Sequence, residues 1–167
     1  MGTPLHLGKK VASFSLTRYK DERVVALLPK TDKKTLAIWA RDCALRVLLY
    51  FEKNHPDDLR PQNALKTLDE WIKTGNFRMA VIRKASLDSH AAAREDGEDS
   101  PARSTARACG QAVATAHVFS HSIGAAIYAQ QAIHRTNNYS NDAAIAKERE
   151  WQYQHLLGLK KHNLRAK

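Results

Sequence analysis

Apolar positions recur at helical spacing along most of the chain, and the most uniform stretch lies between Ser100 and Tyr128. After Arg107 this run carries no formally charged residue until Arg135. A solvent-facing helix needs a polar face, so the pattern predicts one helix from Ser100 to about Tyr128, enclosed by others. Ser100 suits its N-cap, and Pro101 fits the first turn, where a missing N–H costs nothing. Two seams run along it. Cys109, Val113, Ala116, Ile123 and Ile127 have ordinary core spacing, whereas Gly110, Ala114, His117, His121, Gly124 and Tyr128 line a second face by steps of three and four. The second seam sets two imidazoles one turn apart among very small residues.

The remaining pattern is also helical. Phe14 and Leu16, then Val24 to Leu28, are expected to anchor one or two short helices ending at Pro29. Thr31 or Asp32 caps a strong helix to about Asn54, with Leu36, Trp39, Ala40, Cys43, Ala44, Val47, Leu48 and Phe51 as its apolar stripe. Pro56 ends it, Pro61 opens a helix to about Thr74, and Gly75 suits the position just past its end. A helix from about Asn76 to Arg94 carries Phe77, Ala80, Val81, Lys84, Ala85, Asp88 and Ala91/Ala92 on its expected inner face. EDGED (95–99) reads as a solvated loop, lacking the ligand spacing of a calcium loop. Ser140 or Asn141 caps a last helix from Asp142 to Leu159, followed by a frayed basic tail. The fold class is therefore all-α: a compact bundle of five to six helices around the alanine- and glycine-rich helix. It forms a single domain over 1–167 with a core of about 32–160, a basic N-terminal extension and a basic C-terminal tail.

Size and composition agree with that picture. A chain of 167 residues, 43% hydrophobic, can bury a real core. Its first residues lack the apolar stretch of a signal peptide, and the central run is too interrupted by histidine, serine and glutamine for lipid, so the expected location is cytoplasmic with no membrane contact. Cys43 and Cys109 read as buried free thiols. The net charge of +10 is uneven: residues 1–41 hold nine basic and three acidic side chains, residues 156–167 four basic and none acidic, and the stretch between balances. Basic ends brought together would attract an acidic protein surface or, more weakly and without sequence preference, nucleic acid; no DNA-reading motif is present.

Candidate chemistry centres on the imidazoles. His117 and His121 have the i,i+4 spacing with which one helix face holds a divalent metal, but His90, Asp42 or Cys43 would have to complete the set. No HExxH or paired ExxH accompanies them, so no cofactor is expected. A Cys–His pair drawn from Cys43 or Cys109 with His90 or His117 has no local signature; Cys109 and His117 stand about 12 Å apart along a helix. No phosphate-cradling glycine loop, dinucleotide fingerprint or serine elbow occurs. Arg94, Arg103 and Arg107 flank the acidic loop and are expected to pair with it.

The phrases WARDCALRVLLYFEKNHPDDLRP (39–61), LDEWIKTG (68–75), SLDSHAAAR (86–94) and ARACGQAVATAHVFSHSIGAAIYA (106–129) resemble, in this order, the Imm-5-like immunity-protein domain family. The likeness spans roughly residues 32–135. Its matching positions are Asp42, Cys43, Pro56, Asp58, Arg60, Pro61, Trp71, Gly75, His90, Arg94, Arg107, Gly110, His117, His121, Gly124 and Tyr128. The resemblance implies an all-helical bacterial protein that binds and neutralises a partner toxin without catalysis. Asp42, Cys43, His90, Arg94, Arg107, His117, His121 and Tyr128 are then the ligand-binding or groove-lining candidates. The alternative is a metal- or small-ligand-binding helical enzyme using His90, His117 and His121.

Overall fold

Both long helices expected from the pattern are broken in two. The computed structural model describes residues 16–97, 99–136 and 140–165, so Phe14 lies outside it. Every regular element among the described residues is helical. In chain order these are α1 (Glu22–Leu27), α2 (Lys33–Leu45), α3 (Leu48–Glu52), α4 (Arg60–Thr74), α5 (Met79–Glu95), α6 (Pro101–Ala114), α7 (His121–Arg135) and α8 (Asp142–Arg165). Short 3₁₀ turns cover Leu16–Tyr19 and Leu28–Lys30. Among the described residues eight α-helices stand where five to six were expected, and the two breaks account for much of the difference.

Each break has a local cause. At Val47 the backbone opens to φ −114°, ψ −3°, its N–H tightens onto the Ala44 carbonyl, and its own carbonyl accepts the Thr105 hydroxyl at 3.1 Å. The run from Ser100 to Tyr128, as one helix, would reach roughly 43 Å. It folds back instead. Successive three-residue bonds from the Thr115, Ala116 and His117 amides end α6, and the Ser122 hydroxyl donates to the Phe119 carbonyl at 2.7 Å to start α7. The single alanine- and glycine-rich helix is therefore an antiparallel pair, with residues 115–120 as its turn.

Helix ends follow the sequence more closely. Asp32 accepts from the Thr35 amide at 2.9 Å and Ser100 from the Arg103 amide at 2.9 Å, while Gly75 closes α4 in the left-handed region at φ 71°.

α6 runs antiparallel to α5 on one side and α7 on the other. Close approach is possible because α6 presents Ala102, Ala106 and Gly110, and because small hydroxyls stitch the backbones. Ser89 donates to the Ala106 carbonyl at 2.7 Å, Ser86 to the Gly110 carbonyl at 2.9 Å, and Ser104 to Gln131 at 2.8 Å. Phe51 supplies the volume that Ala92, Ala93, Ala102 and Ala106 lack. The main core lies behind, where Leu36, Trp39, Cys43, Leu68, Cys109, Val113 and Leu156 are buried together. Cys109, Val113 and Ala116 of the first seam point there.

α8 seals the opposite side with a polar band. Trp39 Nε1 donates to the Gln152 carbonyl at 2.8 Å, and the Gln152 side chain bridges Gln130 and the Ala126 carbonyl. Glu148, 3% exposed, is held by the Arg46 guanidinium, which lies 3.9 Å over the Trp151 ring. The helix does not fray after Leu159. Lys160 reaches the Lys30 carbonyl and Thr31, and Asn163 reaches Thr35 and Asp32. The described parts of the two basic ends are thus neighbours.

Removing Arg46 leaves the Glu148 carboxylate buried without its cation, so Arg46→Ala should cost about 3 kcal/mol in urea unfolding. Glu148→Gln, which leaves a partly exposed arginine free to reach water, should cost clearly less; equal losses would contradict this account of the pair.

Candidate functional site

The second seam survives the fold as a surface rather than as a helix face. Gly110 and Ala114 lie on α6, His121, Gly124 and Tyr128 on α7, and the antiparallel turn carries His117 between them. Each glycine makes room for a polar side chain. A Cβ on Gly110 would come within 2.9 Å of His90 Nε2, and one on Gly124 within 2.7 Å of Gln111 Oε1. His90, from α5, therefore lies flat against α6, and Gln111 crosses to α7, where its Oε1 meets His121 Nδ1 at 2.8 Å.

These contacts set the protonation of the imidazoles. Burial, then the charges of Arg107, Arg94 and His121, push the pKa of His90 down to about 4. Its Nδ1 is buried and has no hydrogen-bond partner among the described residues. Burial, and the nearby His117, lower His121 as well. With Nδ1–H donating to Gln111, the neutral His121 ring keeps an acceptor lone pair on Nε2.

α5 is turned by about one residue from the expected stripe. Ile82, Ser89, Ala92 and Ala93 face inward, while Phe77, Ala80 and Val81 are exposed. The Ser86 and Ser89 hydroxyls bonded to α6 require this small polar side to face the bundle. The start of α5 consequently stands as a ridge with a groove on either side. One groove, about 370 Å³, is lined by Met79, Ile82, Arg83, Ser86, Leu87, Ala114, His117 and His121. The other, about 430 Å³, lies against α4 and includes Trp71, Lys66, Glu70, Arg78 and Val81. Leu87 is 52% exposed, and Phe77, Met79, Val118 and Phe119 are also open to solvent. The Phe77 ring stacks on His117 with centroids 6.3 Å apart.

Of the eight candidate residues, the fold gathers six. Arg107, Arg94 and His121 all lie near enough to His90 to disfavour its charged form, His117 shares the groove with His121, and Arg107 lies 5.9 Å above the Tyr128 ring. Arg94 and Arg107 make no hydrogen bond or ion pair among the described residues. Of the three arginines expected to pair with the acidic loop, Arg103 reaches it, at the Asp96 carbonyl; among the loop carboxylates, Glu95 binds Arg60, Asp99 binds Arg135 and Asp96 is approached by His55. Asp42 and Cys43 lie apart from this group. Asp42 accepts from His155 Nε2 at 2.7 Å and pairs with Arg41, and Cys43 is fully buried in the core. Burial pushes both thiols up, so Cys43 and Cys109 stay protonated at neutral pH. Among the described residues no three His, Cys, Asp or Glu side chains converge to hold a metal ion, and no helix is long and apolar enough to cross a membrane.

The exposed residues of the ridge and turn were not among the candidates. One signal was present: Phe77, Met79, Val81, Ile82 and Leu87 place apolar side chains around more of α5 than one buried stripe requires.

The family model described as Imm-5 like putative immunity protein matches residues 26–159. No curated protein matches the chain, and no solved structure does.

The depressed His90 pKa fixes a sign. In the unfolded chain the imidazole takes up its proton near pH 6.5, in the folded one only near pH 4. Its contribution to stability is complete above about pH 6.5 and falls as pH drops toward 4, because the unfolded state then binds more protons. The urea midpoint should fall more between pH 7 and pH 5 for the native sequence than for His90→Gln; parallel pH profiles would contradict a neutral, desolvated His90.

Proposed function

We propose that this chain, which belongs to the Imm-5-like immunity-protein family, neutralises a partner toxin by binding it, without catalysis. The observation that supports the reading is the surface formed by the ridge of α5 and the α6–α7 turn. Five large apolar side chains, Phe77, Met79, Leu87, Val118 and Phe119, stand exposed beside Arg78, Arg83, His117 and His121. Exposed apolar side chains bordered by charge are the composition of a protein interface. The half-buried Trp71 lines the adjoining groove and offers an aromatic anchor there. Trp151 is a poorer anchor, being covered by Arg46 and stacked on His155. Such a protein acts in the bacterial cytoplasm, wherever the toxin's target lies within reach.

A second reading, a small-ligand or metal site, draws on the free Nε2 of His121 and on His117 within the same 370 Å³ groove. A stoichiometric metal retained through purification without chelator, and lost when both histidines become alanine, would favour it over the first.

Co-expression with a panel of bacterial toxin domains tests the leading reading. The chain should restore growth, and the purified pair should form a stable complex whose inhibition is complete at equimolar ratio. Rescue at far below equimolar amounts would mean turnover; growth arrest despite full expression of the chain would contradict neutralisation.

A further inference from the structure

The two sequence stretches that build the exposed surface share a property that the charge balance of the middle of the chain conceals. Residues 71–87 and 100–141 contain no aspartate or glutamate, yet they hold Lys73, Arg78, Arg83, Lys84, Arg103, Arg107 and Arg135. The acidic side chains that balance this count lie elsewhere and are spoken for: Glu95 and Asp99 by Arg60 and Arg135, Asp88 by Lys84, Glu148 by Arg46. Folding thus neutralises Lys84 and Arg135 through Asp88 and Asp99 and leaves Arg83, Arg94 and Arg107 without an ion pair among the described residues. Basic residues adjoin the surface from another element too, since Lys33 at the start of α2 reaches the His117 carbonyl at 3.4 Å.

We infer that the face formed by α5 and the α6–α7 turn docks an acidic amphipathic helix or strand of the partner protein. Its apolar side chains would enter beside Met79 and Leu87, and its carboxylates would meet Arg83 and the unpaired Arg94 and Arg107. This deepens the toxin-binding reading and rests on it for the identity of the partner. Three features argue for this occupant. The groove of about 370 Å³ has the depth to take a side chain or two but is bordered by exposed leucine, methionine and phenylalanine, which nucleic acid would leave in water. Arg94 and Arg107 lie two turns from Leu87 and Ala114 on the same faces of α5 and α6, so they continue the groove and carry charge without a carboxylate of their own. A surplus of positive charge selects against basic partners and speeds encounter with acidic ones.

The test uses the full chain and a fluorescent peptide with leucine and glutamate at helical spacing. Two control peptides replace glutamate by lysine, or leucine by serine, and a 20-nucleotide single strand of DNA serves as the polyanion. The leucine–glutamate peptide should bind, with chemical-shift changes concentrated at residues 77–94 and 107–124. Arg83→Glu and Leu87→Asp, both at exposed positions, should each weaken it at least tenfold with unchanged melting temperature. Arg83→Glu should in turn improve binding of the leucine–lysine peptide. The inference is overturned if the leucine–glutamate peptide does not bind, if either variant binds it as well as the native chain, or if the serine control or the DNA binds equally well. Toxin neutralisation is read separately, by growth, so a failed rescue alongside groove-specific peptide binding would count against the immunity role and not against the docking face.

Discussion

Everything in this molecule depends on how closely α6 can be approached from both sides. A helix built from Ala102, Ala106 and Gly110 lets the α5 backbone come near enough for its serine hydroxyls to bond directly to α6 carbonyls, and Ser104 of α6 reaches the Gln131 side chain of α7. Small residues alone leave space, and the space is filled from elsewhere: by Phe51 at one end, by the His90 ring against Gly110, and by Gln111 against Gly124. The three helices therefore form a thin, tightly stitched sheet of antiparallel elements. The bulky core of α2, α4 and α8 packs on other sides of α6 and α7.

That constraint also makes the surface. Because α5 turns its serines and alanines toward α6, its larger apolar side chains have no place inside and stand on the ridge. Because α6 and α7 meet through small residues, their connecting turn pushes Val118 and Phe119 into solvent beside them. The imidazoles are drawn into the same arrangement. His90 is desolvated by its contact with Gly110, and His121 is oriented by Gln111, so both stay neutral within a basic surrounding. Their altered protonation is a consequence of close packing, which is why it is not by itself a sign of catalysis.

Much of the fold was legible in the pattern. The all-helical class, the caps at Asp32 and Ser100, the stop at Gly75 and the buried Cys109–Val113–Ala116 seam all follow from spacing and from the chemistry of helix ends. The breaks were not legible, since neither Val47 nor residues 115–120 carries glycine or proline. One involves a hydroxyl from α6, far away in sequence, and the other a run of tight backbone bonds and the Ser122 hydroxyl, none of which spacing reveals. The sense of α5 was hidden for a related reason: Ser86 and Ser89 look like surface residues until α6 supplies carbonyls for them. For the candidate site, helical spacing chose His117 and His121 on the assumption of one continuous helix. The turn keeps them together by a different geometry. Asp42 and Cys43 belonged to a resemblance and to a metal hypothesis, and their real neighbours, His155 and the core, come from elements that spacing cannot bring together.

Close packing of α5, α6 and α7 creates the exposed face proposed to dock a protein partner. Backbone hydrogen exchange, measured on the chain alone and in complex with a toxin domain that co-expression shows it to rescue, tests this most directly. The account predicts added protection over residues 77–90 and 115–124, with the α8 amides unchanged. Protection confined to α8 and the start of α2, with the ridge and turn exchanging as in the free chain, would contradict it.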